Sequence, residues 1–401
     1  MAFQTVTIRA MERCEILIVG GGIAGASLGA RLAPDRRVVL VEAEDLCGRH
    51  STGRSVAFWQ ASLGGDTPER RLSLASRPMF DTRWPGADTP LLRRRGALHL
   101  TSAGHDLVEG GAQLAGDDAL VRLDRDSLVR MVPGLRDQWT GAWFEPSCAD
   151  IEVASFHAAC LAAIRRNGGE VRTDSAFLSA KRSGDGWLAT TTRGDIAAGI
   201  IVNAAGAWAD QVATRSGLPG IALEPRRRTV VQLRVGRTGL HDLPLVTDLH
   251  ASFYFKGEGD NAVWVSPLDE TLVDPCDAAP EEIDVAIAID RFQNAVDWPV
   301  EAVERKWAGL RSFAPTRAMQ FGFDPLEGTF FWCAGQGGMG IQTAPAASLL
   351  CAMLIKGKAL HPNSTGSTPP ISPRAQLSGA SRLRRRPKRR RVHSRHGRYA
   401  P

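Results

Sequence analysis

Gly20-x-Gly22-x-x-Gly25 follows directly on the apolar run Cys14-Glu15-Ile16-Leu17-Ile18-Val19, and this junction constrains the chain more than any other feature of its 401 residues. The β-branched run has the texture of a strand buried in a parallel sheet. The first glycine allows a tight strand-to-helix turn, the second lets a pyrophosphate approach the backbone, and the third lets the helix pack close to the sheet. Ile23 and Ala24 open a helix continued by Ala26, Leu28, Ala30 and Leu32, whose N-terminal amides and macrodipole would face phosphates. Arg37-Val38-Val39-Leu40-Val41-Glu42 is a second strand pattern ending in a carboxylate 22 residues after Gly20. Glu42, followed by Ala43, stands where a dinucleotide ribose is hydrogen-bonded. Strand, glycines, helix, strand and acid in this order predict a dinucleotide site; the alternative is a glycine-rich turn in an unrelated α/β fold.

Length suggests two or three domains, and 43% apolar with 23% charged residues excludes general disorder and a rod-like coiled coil. The formal net charge of +6 is carried by one end. From Ala359 to Pro401 there are 11 Lys plus Arg and no Asp or Glu, so acidic residues are in small excess elsewhere. No specific nucleic-acid binding is expected from the body. Cys14, Cys47, Cys148, Cys160, Cys276, Cys333 and Cys351 form no CxxC pair, which argues against a zinc site or a disulfide framework and suits a reducing, cytoplasmic compartment. Residues 16–30 mimic a signal peptide only superficially, because Gly20, Gly21, Gly22, Gly25 and Gly29 are foreign to a hydrophobic signal helix.

Four separated segments carry a family resemblance: GGGIAGASLGARL at 20–32, HSTGRSVA at 50–57, IVNAAGAWAD at 201–210 and AGQGGMGIQTAPA at 334–346, joined by WAGLRSFAP at 307–315. Over roughly residues 13–375 the chain resembles the D-amino-acid-oxidase-type FAD-dependent flavoproteins, and within them D-arginine dehydrogenase and the D-amino acid dehydrogenases. The resemblance implies an α/β (α+β overall) fold: a Rossmann-like FAD-binding domain over 11–80, 148–215 and 306–375, and a discontinuous substrate domain over 81–147 and 216–305. The substrate domain is expected to stand on a mixed, largely antiparallel sheet, in keeping with alternating patterns such as Thr229 to Val235.

The resemblance assigns non-covalent FAD to Gly20, Gly22, Ile23, Ala24, Gly25, Glu42, Ala43, His50, Ser51, Thr52, Gly53, Arg54, Ser55, Phe177, Ala205, Gly206, Trp208, Gly337, Gly338, Gly340 and Ile341. Read without it, His50 to Ser55 is a turn capping a helix that begins near Val56, and Ile200 to Gly206 is a buried strand ending in small residues. Gln336 to Gln342 opens an apolar helix whose N-terminus would meet the charge gathering on a reduced flavin. Arg228, Tyr254, Arg311 and Gln342 fall where the resembled enzymes orient substrate, the arginines as forks for an α-carboxylate. Taken singly, most of the 43 arginines of this chain would be solvated surface charges, whereas Tyr254 is one of only two tyrosines.

The implied reaction is hydride transfer from Cα to flavin N5, giving an imine and then a 2-oxo acid. Phe58, Leu63 and Ala97 stand where the resemblance leads one to expect His, Tyr and an acidic residue, and Met339 replaces a Tyr. A pocket of this composition predicts a neutral, apolar or N-alkylated amino acid rather than a cationic one. The alternatives are a sarcosine-, glycine- or proline-type secondary amine oxidase, and a non-catalytic flavin-fold protein whose tail binds nucleic acid. Oxygen, a quinone or a protein could each serve as electron acceptor. The composition of 376–401, with eight basic residues among the ten from Arg382 to Arg391, predicts a disordered tail. It is either a contact to anionic surfaces such as RNA or the inner membrane, or an extension without function.

Overall fold

The computed structural model describes residues 12–63, 67–82, 84, 86–87, 89–102 and 120–357. The basic tail, residues 1–11 and the middle of the segment 81–147 lie outside these.

Five parallel strands form the heart of an eight-stranded sheet, side by side in the order Glu170–Arg172, Val38–Val41, Glu12–Val19, Gly194–Asn203 and Phe330–Ala334. Ile16 and Ile18 face one apolar layer, which includes Leu28 and Leu32 of the helix Ile23–Leu32 and Cys351 of the helix Gly340–Ile355. Leu17 and Val19 face the other, shared with Phe177, Trp187 and Val212. Burial on both faces is why the sequence run is continuous rather than alternating. An antiparallel pair, Phe177–Ser183 and Gly186–Thr191, continues from the first half of Gly194–Asn203.

The parallel register aligns strand ends. Val19 sits beside both Asn203 and Val41, so Gly20, Ala204 and Glu42 emerge together at the carboxyl edge. Gly20 has φ of 109°, and a Cβ there would lie 2.4 Å from the Ala204 carbonyl oxygen, so the turn accepts no side chain.

A nine-stranded, mainly antiparallel sheet makes the second layer, with one parallel contact between Leu245–Asp248 and Ala97–Ser102. Its longest ladder joins Glu224–Val235 to Val300–Phe313, a strand that crosses the expected 305/306 domain boundary without interruption. Phe255, Phe292 and Trp298 lie in its core, where the helix Glu282–Ala295 covers it. A small three-stranded sheet, Phe58–Trp59, Ala149–Ile151 and Leu92–Arg94, is tied to the large one by buried Asp150. That carboxylate accepts from Arg95 at 2.7 Å and from Lys256 of Tyr254–Gly257 at 3.2 Å. No helix begins near Val56: the chain there runs extended into Phe58–Trp59, whose ladder partner is Ala149–Asp150.

Replacing a glycine by alanine inside a helix ordinarily stabilises by about 1 kcal/mol. At Gly25 the sign is expected to reverse, because a Cβ would lie 2.1 Å from the Gly20 carbonyl oxygen. Overpacking of this kind costs about 1–3 kcal/mol, so a thermal melt of Gly25→Ala should fall by several degrees, and an unchanged or raised melting temperature would contradict the packing described.

Candidate active site

One cavity of about 410 Å³ runs along the carboxyl edge of the parallel strands and on to the second sheet. Gly20, Gly22, Ile23, Ala24, Glu42, Ala43, Phe177, Ala205, Gly206 and Trp208 line its first part. Glu42 is held by two backbone donors, accepting from the amides of Gly21 at 2.8 Å and Glu44 at 3.1 Å, so its carboxylate is fixed at the mouth of the glycine turn. Thr52 Oγ1 accepts from the Ile23 amide at 2.9 Å, which joins the first helical turn to the loop after the second strand.

That loop forms the cavity's wall. His50, Ser51, Thr52, Arg54 and Ser55 line the cavity, whereas Gly53 serves the turn, its amide donating to the Gly48 carbonyl at 2.7 Å. The ring of His50 lies 4.6 Å from that of Trp208 and its Nε2 is 2.8 Å from Glu44, while its buried Nδ1 has no protein partner. From the helix Val153–Arg166, His157 hydrogen-bonds through Nε2 to the Gly21 carbonyl at 2.8 Å, and its ring packs against Gly48. His157 thereby braces both loops.

At the second sheet, Arg228 and Arg311 stand on one face as diagonal neighbours, because Arg226 pairs with Arg311 and Arg228 with Gly309. Tyr254 joins the same face through its pairing with Ser266. All three line the cavity. Arg228 has its Nη2 3.3 Å from Glu270, while its buried Nε and Nη1 have no protein partner. Burial, and then the neighbouring charge of Arg311, push the Arg228 guanidinium down to about 9, and burial also lowers Arg311. Burial raises the Tyr254 hydroxyl against the pull of the two arginines, so it remains a neutral donor. Two clustered guanidiniums, of which Arg228 keeps two open donors, and a phenol make a pocket in which an anion relieves both repulsion and desolvation.

Gly337, Gly338, Gly340, Ile341 and Gln342 supply another wall, at the start of the helix Gly340–Ile355. The Gln342 Oε1 accepts from the Gln60 amide at 3.3 Å, and its buried Nε2 has no protein partner. Phe58 and Leu63 line the cavity, with the Phe58 ring edge-on to Tyr254 at 5.7 Å.

The expected pocket residues Ala97 and Met339 do not line the cavity. Ala97 is fully buried in an apolar cluster with Val56, Leu245 and Tyr254. Met339 caps the last helix and packs toward the layer that holds Met319 and Leu72. Gly25 also lies behind the wall, packed on Gly20. Sequence reading missed Glu145 and His99, a buried polar pair beneath the Gln60–Leu63 segment. The signal was a histidine and a glutamate inside otherwise apolar strands, but only the pairing of Ala97 with Glu145 reveals that they share a face.

Orphaned buried polar atoms at His50, Arg228 and Gln342, in the wall of one cavity that begins at a glycine turn beside a fixed carboxylate, fit a dinucleotide cofactor held at the glycine turn. This is the architecture of a flavoprotein oxidoreductase. Residues 15–354 match the family model described as FAD dependent oxidoreductase; the chain belongs to that family, and FAD is its cofactor.

Among curated relatives, it is similar to glycine oxidase of Geobacillus kaustophilus, 23% identical over 373 residues that cover 86% of this chain and 94% of the relative. It is also similar to human mitochondrial dimethylglycine dehydrogenase, 25% identical over 272 residues that cover 63% of this chain but only 30% of the relative. The crystal structure of glycine oxidase from Geobacillus kaustophilus shares the fold, with a TM-score of 0.76 at 22% identity, covering 87% of this chain and 96% of that one. That of L-proline dehydrogenase from P. horikoshii does so with a TM-score of 0.75 at 20% identity, covering 87% and 95%. These relatives support the family and not the finer resemblance to D-arginine dehydrogenase.

Burial holds His157 below the ordinary histidine value of 6.5. Its neutral form is therefore the one the fold favours: its stabilisation is complete above about pH 6.5 and is lost as the pH falls through the lowered value. FAD is expected to dissociate faster at pH 5 than at pH 7, and His157→Gln, which keeps a donor without a titrating ring, should flatten that dependence when flavin release is followed by fluorescence.

Proposed function

We propose that this protein oxidises the amine of a small amino acid whose carboxylate is held by Arg228, Arg311 and Tyr254. The observation that carries this reading is the pair of buried guanidiniums in the cavity wall, with Arg228 Nε and Nη1 lacking any protein acceptor. A planar carboxylate fits such forks, and its capture fixes the rest of the molecule in the cavity. Bound FAD supplies the two-electron oxidation of the carbon bearing the amine. Arg228 and Arg311 hold the carboxylate, Tyr254 donates a further hydrogen bond, and Phe58 with Leu63 offers an apolar surface to the side chain or N-substituent. No side chain is assigned as a base, because an amine that enters neutral needs none.

The resemblance favours a D-amino acid with a neutral or apolar side chain. A secondary amine, as in an N-methyl or cyclic amino acid, is the second reading, favoured by a relative named for proline; the relative named for dimethylglycine extends it to a tertiary N-methyl amine. Both require a neutral pocket. The buried carboxylate Glu145, behind the cavity wall, agrees with this, because it is taken up by protein donors. FAD is proposed to be non-covalent and the acceptor to be oxygen, a quinone or a protein.

Anaerobic titration of the yellow protein tests the reading. Bleaching of the flavin band near 450 nm, the usual oxidised-flavin absorption, is expected with D-Leu, D-Met, D-Phe or D-Pro, or with sarcosine, dimethylglycine or L-Pro under the second reading. A kcat/KM for D-Arg above those for the neutral compounds would sink the proposed specificity. Arg228→Met is expected to weaken a carboxylate competitor by about 100-fold, because it truncates one partner of a buried charged contact. Tyr254→Phe should cost about tenfold or less, as for one hydrogen bond; equal affinity in wild type and Arg228→Met would remove the carboxylate assignment.

A further inference from the structure

Behind the cavity wall lies a buried polar system that the proposed reaction does not use. Glu145 ends the strand Trp139–Glu145 and is fully buried. Its Oε1 accepts from the Ala61 amide at 2.6 Å and from Ser147 Oγ at 3.3 Å; its Oε2 accepts from Ser62 Oγ at 2.5 Å and lies 3.5 Å from His99 Nε2. The side-chain nitrogen of Gln60 lies 3.2 Å from that same His99 nitrogen. The far side of the Ala61 peptide is held as well, its carbonyl accepting from Arg70 Nε at 2.6 Å. Burial alone would raise the Glu145 carboxyl, yet hydrogen bonds from His99, Ser62 and Ala61 keep it below the ordinary value, so it is a carboxylate at neutral pH.

A buried charge of this kind is costly unless its lone pairs are used, and here two of the donors, the Ala61 amide and Ser62 Oγ, belong to one short segment. That segment, Gln60 to Leu63, does two things at the cavity: Leu63 lines it, and the Gln60 amide donates to Gln342 Oε1. That bond favours the orientation in which Gln342 Nε2, buried and without a protein partner, is left as a donor for whatever occupies the cavity.

We propose that Glu145 is a positioning residue, which acts through Ala61, Ser62 and Gln60 to set the orientation of Gln342 and so the donor that Gln342 presents to the amino acid. The proposal rests on the reading of the cavity as an amino-acid site. His99 completes the carboxylate's shell from the neighbouring strand Ala97–Ser102. Glu145 touches neither substrate nor cofactor, so a purely structural role would change stability alone.

The full-length, FAD-loaded protein tests this with pyrrole-2-carboxylate, an aromatic carboxylate lacking an oxidisable amine carbon, whose binding is read by perturbation of the flavin spectrum. Glu145→Gln should weaken the probe by about tenfold, as for loss of one charge-assisted hydrogen bond. Gln342→Ala should weaken it by a similar factor, and the double variant should be no worse than Gln342→Ala alone. Effects that multiply in the double variant, or a Glu145→Gln protein whose melting temperature falls while probe affinity stays unchanged, would overturn the proposal.

Should Glu145→Gln fail to fold, Ser62→Ala removes one of the same bonds. It should weaken the probe severalfold in the wild-type background and not at all beside Gln342→Ala; an equal loss in both backgrounds overturns the proposal. A wild-type protein that binds no carboxylate probe would refute the amino-acid reading instead. The side-chain amide resonance of Gln342, assigned by its loss in Gln342→Ala, then still decides the positioning role: it shifts in Glu145→Gln, or Ser62→Ala, if the segment transmits, and stays in place if it does not.

Discussion

The guanidinium of Arg54 joins the two halves of the site. It leaves the loop that lines the dinucleotide crevice, donates to the carbonyls of Ala308 at 3.0 Å and Ala278 at 2.9 Å, and pairs with Asp277. Trp307 returns a bond from its indole nitrogen to the Arg54 carbonyl at 2.9 Å, and Ser51 Oγ donates to the Leu310 carbonyl at 2.6 Å. Two residues of one loop, Ser51 and Arg54, thus grip the strand that carries Arg311. The relative placement of cofactor and carboxylate pocket depends on this grip, since a shift of about 1 Å between reacting partners is enough to cost two orders of magnitude in rate.

Charge in and behind the cavity wall is divided by whether protein partners fill it. Asp150 gathers Arg93, Arg95 and Lys256, and Glu145 gathers neutral donors and His99, so neither carboxylate is left to meet a ligand. Arg228 is the opposite case: only its Nη2 reaches Glu270, and its buried Nε and Nη1 stay open beside the second guanidinium, Arg311. In a low-dielectric pocket, open cationic donors favour an anion, whereas carboxylates already filled by protein donors do not draw a second cation. The apolar faces of Phe58 and Leu63 are consistent with that division.

The crevice was legible because its requirements are local. A tight turn, a close backbone approach and a fixed carboxylate need glycines and an acid at set spacing, and Gly20, Gly22 and Glu42 stand where that spacing puts them. The substrate end was only partly legible. Arg228, Tyr254 and Arg311 were named through a family resemblance, and nothing in their spacing announces that a strand register places them on one face. Ala97 and Met339 were expected in the pocket on the same grounds; Ala97 is a core residue instead, and Met339 caps the last helix, partly buried against the core. A position aligned by sequence carries no information on which way a strand or a helix cap turns its side chain.

What the sequence determined by itself was the parallel sheet, its glycine turn and the class of cofactor, because hydrophobic runs and backbone-limited turns act over a few residues. Tertiary structure decided which polar groups are satisfied. Glu145 and Ser62, more than eighty residues apart, meet only when a strand of the second sheet passes beneath the cavity wall. The difference between a satisfied carboxylate and a guanidinium with open donors is set by such long-range neighbours, through desolvation and hydrogen bonding that no local pattern encodes.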